Sequence, residues 1–302
     1  MLKTKQQVTM ASLTADTALA QDIGSRARQE DAVVAYCSKG TELTIAVLSD
    51  GMGGHKDGDL ASRIIAREMF GELYVAAARP KALRHNSSLM MRAALSCANN
   101  RLAEHVHSGR ISNDTGGTVV CVEIQDGQMR WLSVGDSLLY LLRGGRLKRL
   151  NQLHLVAAQL DMMVAFDQID IETALNHPDR YCLTSAVTGQ GIPSIDCPDT
   201  TLDMQEGDVV LIASDGIDVL EEQEIARIIQ KNLHSKSSDI ADEILGSVRD
   251  VGFADQDNTS VIVIKIDNGL QPNVGPLRKL KRQLGTLMSS RPGARMAARA
   301  RA

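Results

Sequence analysis

The sequence predicts an α+β fold in which two antiparallel β-sheets pack face to face and are flanked by helices. Short apolar runs, bounded by Gly, Asp and Asn, recur as consecutive pairs, which is typical of antiparallel strands. Segments with helical spacing also occur in pairs, and a helix with one apolar stripe must bury it against another layer. We therefore expect two sheets in contact, each covered by helices on its outer face.

The first third of the chain predicts one buried strand and two helices. The apolar run at 43–49 ends at Asp50 in a glycine-rich loop. Helical spacing follows, with Asp59 as the expected N-cap. The expected apolar stripe of this helix consists of Leu60, Ile64 and Leu73. A second helix is expected at about 88–107.

The middle of the chain predicts an antiparallel meander. Its turns are Asp126-Gly127 and Gly144-Gly145, sequences that two-residue hairpins prefer. The expected strands are 118–124, 129–134, 138–143 and 146–150. The remaining expected elements are a helix near 152–166, a strand at 209–214, helices near 221–232 and 238–251, and a last strand at 259–266.

Composition excludes several functional classes. The chain has 302 residues, 43% hydrophobic and 23% charged, the balance of an ordinary globular protein. No apolar run approaches the roughly 18 residues of a membrane span, and residues 1–22 lack the apolar block of a secretory signal. The five cysteines are scattered, which argues against disulfide or zinc scaffolds. We expect a cytoplasmic monomer.

Charge is distributed unevenly along the chain. From Gln271 onward there are eight Lys or Arg residues and no Asp or Glu, whereas the first 270 residues carry a balance of −12. We expect a folded domain at 1–268 and a basic, disordered tail at 269–302. Three interpretations of the tail stay open. It is a solvated end, it docks on an acidic surface, or it binds nucleic acid or an anionic membrane surface. It has no aromatic residue for base stacking, so we expect no specific nucleic-acid recognition.

Acidic residues follow or precede apolar strands at several separated loops. Carboxylates gathered at one rim are unstable without a cation, since two charges about 4 Å apart repel by roughly 4 kcal/mol even at a surface-like dielectric. Oxygen ligands of this kind select Mg²⁺, Mn²⁺ or Ca²⁺. A single Asp-Gly is more often a turn, so the prediction rests on the whole set. Its members are Glu30-Asp31, Asp50-Gly51, Gly135-Asp136, Asp215-Gly216 and Asp257-Asn258.

The order of these motifs resembles the PPM family, the type 2C metal-dependent serine/threonine protein phosphatases of bacterial type. The matching segments are GSRARQED at 24–31, SDGMGGH at 49–55, TGGT at 115–118, VGDS at 134–137, SDG at 214–216 and DNT at 257–259. The resemblance covers about residues 10–267. It implies a four-layer α/β/β/α sandwich with two core Mn²⁺ or Mg²⁺ ions and a third, more weakly bound ion.

The resemblance also implies a role for each motif residue. Asp50 would bridge the two core ions and the Gly51 carbonyl would hold one of them, while Asp215 and Asp257 would bind the other. Asp136, with Asp215, would support the third ion. Arg26 would bind the substrate phosphate, so that Arg26 and Asp50 are the expected catalytic residues. Glu30 would act mainly through ion-bound water, and the expected supporting residues are Asp31, His55 and Asn258. His55 is equally consistent with a purely structural hydrogen bond in its loop.

The implied reaction is hydrolysis of phosphoserine and phosphothreonine in proteins by water activated between the ions, opposing a bacterial Ser/Thr kinase. No cysteine is followed by Arg six residues later, as a cysteine-dependent phosphatase would require. Two alternatives stay open. One is a pseudophosphatase or regulatory phosphoprotein-binding module; the other is a phosphatase acting on an anti-sigma-factor antagonist.

One segment departs from the family pattern. Where the family usually has Asp-His-Ser/Thr before its substrate flap, the chain has Leu153-His154-Leu155. We expect activity to survive with unusual substrate choice, and we expect His154 to be a flap or surface residue. For Thr118, beside a motif, we expect a packing role.

Overall fold

The computed structural model describes residues 13–38, 43–53, 57–77 and 87–268. The strands are β1 (Leu13–Asp22), β2 (Asp31–Cys37), β3 (Leu43–Met52), β4 (Gly116–Gly117), β5 (Val119–Gln125), β6 (Gln128–Val134), β7 (Leu138–Arg143), β8 (Arg146–Arg149), β9 (Leu202–Asp203), β10 (Val209–Ala213) and β11 (Thr259–Asn268). The helices are α1 (Gly58–Ala77), α2 (Ser87–His107), α3 (Val156–Ala165), α4 (Ile171–Leu175), α5 (Glu222–Lys231) and α6 (Ser237–Val251), with a 3₁₀ helix at Asp215–Val219.

The described strands form two antiparallel sheets. The first has the order β1-β11-β10-β7-β8 and the second the order β2-β3-β5-β6-β9, with β4 pairing to β3. Helices α1 and α2 pack on the outer face of the second sheet, and α5 and α6 on the outer face of the first. The predicted α+β sandwich of two antiparallel sheets flanked by helices is confirmed.

Strand β3 shows why the central strands are continuous apolar runs. Its alternate residues point to opposite faces, as in any strand. Ile45 and Val47 pack beneath α1 and α2, whereas Ala46 and Leu48 pack between the sheets. Both faces are covered, so both sets must be apolar. All four side chains are fully buried.

The expected meander was wrong, because its four strands divide between the two sheets. Strands β5 and β6 form a hairpin in the second sheet, and β7 and β8 form a hairpin in the first. The link at 135–137 carries the chain across the sandwich. This crossing matters for function, because it brings Asp136 to the edge where both sheets end.

Strands β1 and β2 were not predicted. Strand β1 pairs along its whole length with β11, from Leu13 opposite Asn268 to Asp22 opposite Thr259. It is an edge strand rich in Ala, Thr and Asp, with few fully apolar positions. Its stability therefore comes from pairing with β11, 237 to 255 positions away in sequence, and local pattern alone does not show that.

Two helix starts differ from the expected ones. The first amides of α1 donate to the Asp57 carbonyl, while Asp59 lies inside the helix and pairs with Arg63 at 3.5 Å. Leu60, expected on the buried stripe, is 36% exposed. Helix α3 begins only at Val156, because the preceding residue, Leu155, is extended and pairs with Leu183. The short helix α4 was not predicted.

Residues 1–12 and the basic tail expected at 269–302 lie outside the described residues, so the division into domain and tail stays a prediction. Among the helices that the structure describes, none has both the length and the apolar character required to cross a membrane.

Helix α1 provides a test of the layer arrangement. Leu73 is 1% exposed between α1 and the second sheet, whereas Leu60 on the same helix is 36% exposed. We expect Leu73→Ala to lower the free energy of unfolding by about 2–5 kcal/mol. The control, Leu60→Ala, should cost less than about 1 kcal/mol. Urea denaturation measures both; equal losses would contradict the described orientation of α1.

Candidate metal centre

Asp50 lies near the end of β3, directly opposite Asp31 on β2. The Asp50 amide donates to Thr118 Oγ1 at 3.1 Å, and the Thr118 amide donates to the Asp50 carbonyl at 2.8 Å. Thr118 is buried, as the expected packing role requires, and it also forms hydrogen bonds with Asp50. These two hydrogen bonds fix the backbone from which the Asp50 side chain projects.

The Asp50 carboxyl is surrounded by other acidic groups. Its pKa is raised well above the usual value, first by burial and then by the charges of neighbouring carboxylates. These neighbours are, in decreasing order of effect, Asp31, Asp215, Asp136 and Asp257. Distant acidic residues of the sequence thus meet at one end of the sandwich, as the strand-end pattern predicts.

Two of these neighbours, Asp31 and Asp136, also have raised pKa values. Burial raises the pKa of Asp31 to about 6, although it accepts a hydrogen bond of 2.8 Å from Ser214 Oγ. Burial and the nearby Asp215 charge raise the pKa of Asp136 to about 7. Each group is costly to ionise in the absence of a cation.

Asp215 begins the 3₁₀ helix at the end of β10. Burial, followed by the charge of Asp257, raises its pKa, and its Oδ1 atom is buried without a hydrogen-bond partner. A buried carboxylate oxygen without a donor is unfavourable unless a cation binds it. Asp218, one 3₁₀ turn further on, lies close enough for its charge to affect Asp136.

The Gly51 carbonyl and the Glu30 carboxyl face the same small space beside Gly58. A Cβ atom built on Gly58 would lie 3.0 Å from the Gly51 oxygen and 3.1 Å from the Glu30 carboxyl carbon. A Cβ on Gly51 would lie only 2.1 Å from the Gly58 oxygen, so only glycine fits there. Burial and the charge of Asp59 raise the pKa of Glu30.

Asn258 holds the loop that carries Arg26 and Glu30. Its Oδ1 accepts the Glu30 amide at 2.7 Å, and its Nδ2 donates to the carbonyls of Ile23 and Arg28. The Arg26 guanidinium donates to Asp257 Oδ2 at 2.6 Å; their side chains are 55% and 41% exposed. The expected phosphate-binding residue and an expected metal ligand are therefore paired with each other at the rim of the site.

The carboxylates are neighbours, and two of them are paired with other side chains. Within the described residues, no three His, Cys, Asp or Glu side chains converge as a set that could hold one ion. Asp31 is bonded to Ser214 and Asp257 to Arg26. The donor chemistry nevertheless fits hard divalent cations, because buried oxygens with raised pKa values gain most from such an ion. His55 lies outside the described residues.

Sequence reasoning missed or misplaced three residues of the site. Ser214, which binds Asp31, gave no signal beyond its place before Asp215. Asp218 could have been found, because a spacing of three places it on the same face of a 3₁₀ turn as Asp215. His154 was wrongly expected at the surface or in the flap: it is 6% exposed, and its Nδ1 accepts the Gly135 amide at 3.0 Å.

Residues 20–248 match the family model described as protein phosphatase 2C. The chain belongs to the protein phosphatase 2C family. The predicted family and enzyme class, a hydrolase acting on phosphoproteins, are confirmed. Most of the acidic residues described above, including Asp31, Asp50, Asp136 and Asp215, lie within the matched residues.

Curated and solved relatives of this family come from several bacteria. The serine/threonine phosphatase stp of Listeria monocytogenes is 27% identical over 225 residues, covering 74% of this chain and 84% of that protein. Stp1 of Staphylococcus aureus is 25% identical, with a TM-score of 0.67 over 83% of this chain and 94% of that chain. PstP/Ppp of Mycobacterium tuberculosis, at 24% identity, has a TM-score of 0.68 over 84% and 99%.

Because the pKa of Asp136 is raised, we expect an unusual pH dependence of stability when a chelator keeps the protein free of metal ions. The Asp136 pKa of about 7 in the folded protein lies above the ordinary aspartate value of 3.8, so its contribution favours folding at low pH and is lost as pH rises through 7. We expect Asp136→Asn to stabilise the chelator-treated protein at pH 8 by an amount on the order of 1–3 kcal/mol.

The difference in stability between wild type and Asp136→Asn should narrow as pH falls from 7 towards 4. In this range the buried Asp136 carboxyl becomes neutral, like the Asn side chain that replaces it. Thermal denaturation at pH 8 and pH 5 measures it, with the exposed Asp255→Asn as control. A destabilising effect of Asp136→Asn at pH 8 would show that the carboxyl is not buried among like charges.

Proposed function

We propose that this protein removes phosphate from phosphoserine and phosphothreonine in other proteins, using Mn²⁺ or Mg²⁺. The observation that carries the proposal is that separate strand-end carboxylates lie near enough to Asp50 for their charges to raise its pKa, together with the unpartnered Oδ1 of Asp215. The family membership supports the reaction. A solved relative, the catalytic domain of PstP, is in complex with two manganese ions, which supports the choice of cofactor.

We assign the ligands as the sequence motifs predict them. Asp50 has acidic neighbours from both sheets, which supports its assignment as a ligand that both core ions would share. The other proposed ligands are the Gly51 carbonyl, Asp215, Asp257, Asp136 and Glu30. Asp31 and Asn258 support them, since each is bonded to the backbone or side chains of the loops concerned.

The bound ions would supply an activated water and neutralise charge on the phosphoryl oxygens. The protein's own contribution is to hold the ligands in place and to orient the substrate. Arg26 is suited to the second task, because a planar guanidinium can bind two phosphate oxygens. An ion at Asp257 would compete with Arg26 for that carboxylate and would leave the guanidinium free to bind phosphate.

Further roles are part of the same proposal. A bacterial Ser/Thr kinase would supply the phosphorylated substrates, and the protein would act in the cytoplasm as a monomer. The five described cysteines are all free thiols, as a reducing compartment permits. A protein that binds phosphoproteins without turnover is the competing function, and metal binding separates the two.

Activity should depend strictly on divalent ions and on the proposed ligands. We expect excess chelator to abolish hydrolysis of a phosphothreonine peptide and Mn²⁺ to restore it. Asp50→Asn and Asp257→Asn should each lower kcat at least about 100-fold, since each removes a charge that holds an ion. The control is Asp255→Asn, an exposed acidic residue two positions from Asp257, which should retain wild-type kcat.

Equal rates with chelator and with Mn²⁺ would overturn the enzymatic proposal. Calorimetry then decides between the remaining candidates. Absence of Mn²⁺ binding by the wild-type protein would favour a regulatory phosphoprotein-binding module.

Arg26 should affect substrate binding more than turnover. We expect Arg26→Ala to lower kcat/KM for the phosphopeptide about 10- to 100-fold, the range for losing a charge-assisted hydrogen bond, mainly through a higher KM. Arg26→Lys should recover part of this, because it keeps the charge but not the planar fork. Arg101→Ala, which removes a surface pair with Glu104, serves as the control. An unchanged KM in Arg26→Ala would exclude phosphate binding by this residue.

A further inference from the structure

The three-residue link at 135–137 is held from both sides by the segment that departs from the family pattern. This link joins β6 to β7 and carries Asp136. The residues that hold it, Asn151 and His154, lie in the extended stretch before α3. Both are buried, at 5% and 6% exposure.

His154 binds both backbone groups of Gly135. The His154 amide donates to the Gly135 carbonyl at 2.9 Å, and the Gly135 amide donates to His154 Nδ1 at 3.0 Å. The imidazole must therefore be neutral at Nδ1, with its proton on Nε2. The His154 carbonyl accepts the Thr184 amide at 2.8 Å, which anchors the histidine to a third segment.

Asn151 holds the other end of the same link. Its Nδ2 donates to the Ser137 carbonyl at 2.9 Å, and its Oδ1 accepts the Leu139 amide at 2.9 Å. The Ser137 hydroxyl lies 2.7 Å from Thr118 Oγ1, the atom that binds the Asp50 amide. The link is thus connected by direct hydrogen bonds to the backbone of the central carboxylate.

Gly135 has a backbone conformation that suits glycine alone. Its φ of +101° lies in a region that side chains disfavour, and a Cβ there would lie 2.6 Å from Thr118 Cγ2. Glycine has more backbone freedom than other residues, so a small rotation of Gly135 would redirect Asp136. The two hydrogen bonds between His154 and Gly135 oppose such a rotation.

The buried imidazole is also costly in a way that indicates its purpose. His154 Nε2 is buried without a hydrogen-bond partner. An apolar side chain would fill the space without that cost. What only the imidazole offers, compared with such a side chain, is the acceptor for the Gly135 amide.

We propose that His154 is a positioning residue for the Asp136 ion site: it fixes the Gly135 backbone and thereby aims the Asp136 carboxylate at the ion shared with Asp215. The inference rests on the proposed function, since it assigns the protein's own residues to one of its metal sites. Supporting groups of this kind commonly change metal affinity about 10- to 100-fold.

The test compares substitutions of His154 by Mn²⁺ calorimetry on the full chain and by the Mn²⁺ dependence of peptide hydrolysis. The Mn²⁺-binding step of interest is the one that disappears from the titration in the Asp136→Asn variant. We expect His154→Leu to raise the half-saturating Mn²⁺ concentration of this step about ten-fold. The tighter Mn²⁺-binding steps should stay unchanged. His154→Asn, whose Oδ1 can take the place of Nδ1, should stay within about three-fold of wild type.

Two controls separate positioning from general loss of structure. His177 also accepts a backbone amide through Nδ1, from Asp179 at 3.2 Å, so His177→Leu should leave Mn²⁺ binding unchanged. In the Asp136→Asn background, His154→Leu should cause no further change in Mn²⁺ binding. If His154→Leu does not fold, His154→Gln is measured instead. The acceptor oxygen of Gln lies one bond further from the backbone than His154 Nδ1.

Additive effects of the two substitutions, equal weakening of all Mn²⁺ binding, or no rescue by Asn would overturn the inference while leaving the proposed function intact. A wild-type protein that neither binds Mn²⁺ nor hydrolyses the peptide would overturn the proposed function first. A loss of Mn²⁺ binding that is non-additive with Asp136→Asn and is rescued by His154→Asn would establish the positioning role of His154.

Discussion

The gathering of several carboxylates in a partly dehydrated space is the constraint on which the rest of this structure depends. Burial and mutual repulsion both favour the neutral acids, as the raised pKa values of Asp31, Asp50, Asp136 and Asp215 show. Only part of this cost is met inside the protein, by the Ser214 hydroxyl on Asp31 and the Arg26 guanidinium on Asp257. In the proposed function, divalent ions would offset the remainder, so the same cost that weakens the ion-free state would favour ion binding.

The two sheets contribute different parts of this cluster, so their packing sets its geometry. Asp31 and Asp50 come from β2 and β3 of the second sheet, while Asp215 and Asp257 lie beside β10 and β11 of the first. Asp136 sits on the link that passes from one sheet to the other. The apolar layer between the sheets, with Leu48, Val120 and Ile262 among its members, therefore also fixes the distances between the acids.

The sequence was most informative where both faces of an element are buried. Runs such as 45–48 and 209–213 are apolar at every position, and each lies in a central strand. It was least informative at the edges, since β1 mixes Ala, Thr and Asp and depends on its pairing with β11. The expected meander was wrong for a related reason: two hairpins in one sheet and two hairpins in facing sheets have the same local pattern of strands and turns.

The sequence by itself determined the chemistry of the site: which acidic residues belong to it, in what order they occur, and that hard cations suit them. The tertiary structure alone decided how those groups are partnered. Asp31 meets Ser214 across 183 positions, Arg26 meets Asp257 across 231, and His154 holds Gly135 from a segment whose pattern suggested the surface. The physical reason is that local pattern records which side chains must be buried or solvated, whereas partners are chosen by the packing of distant elements.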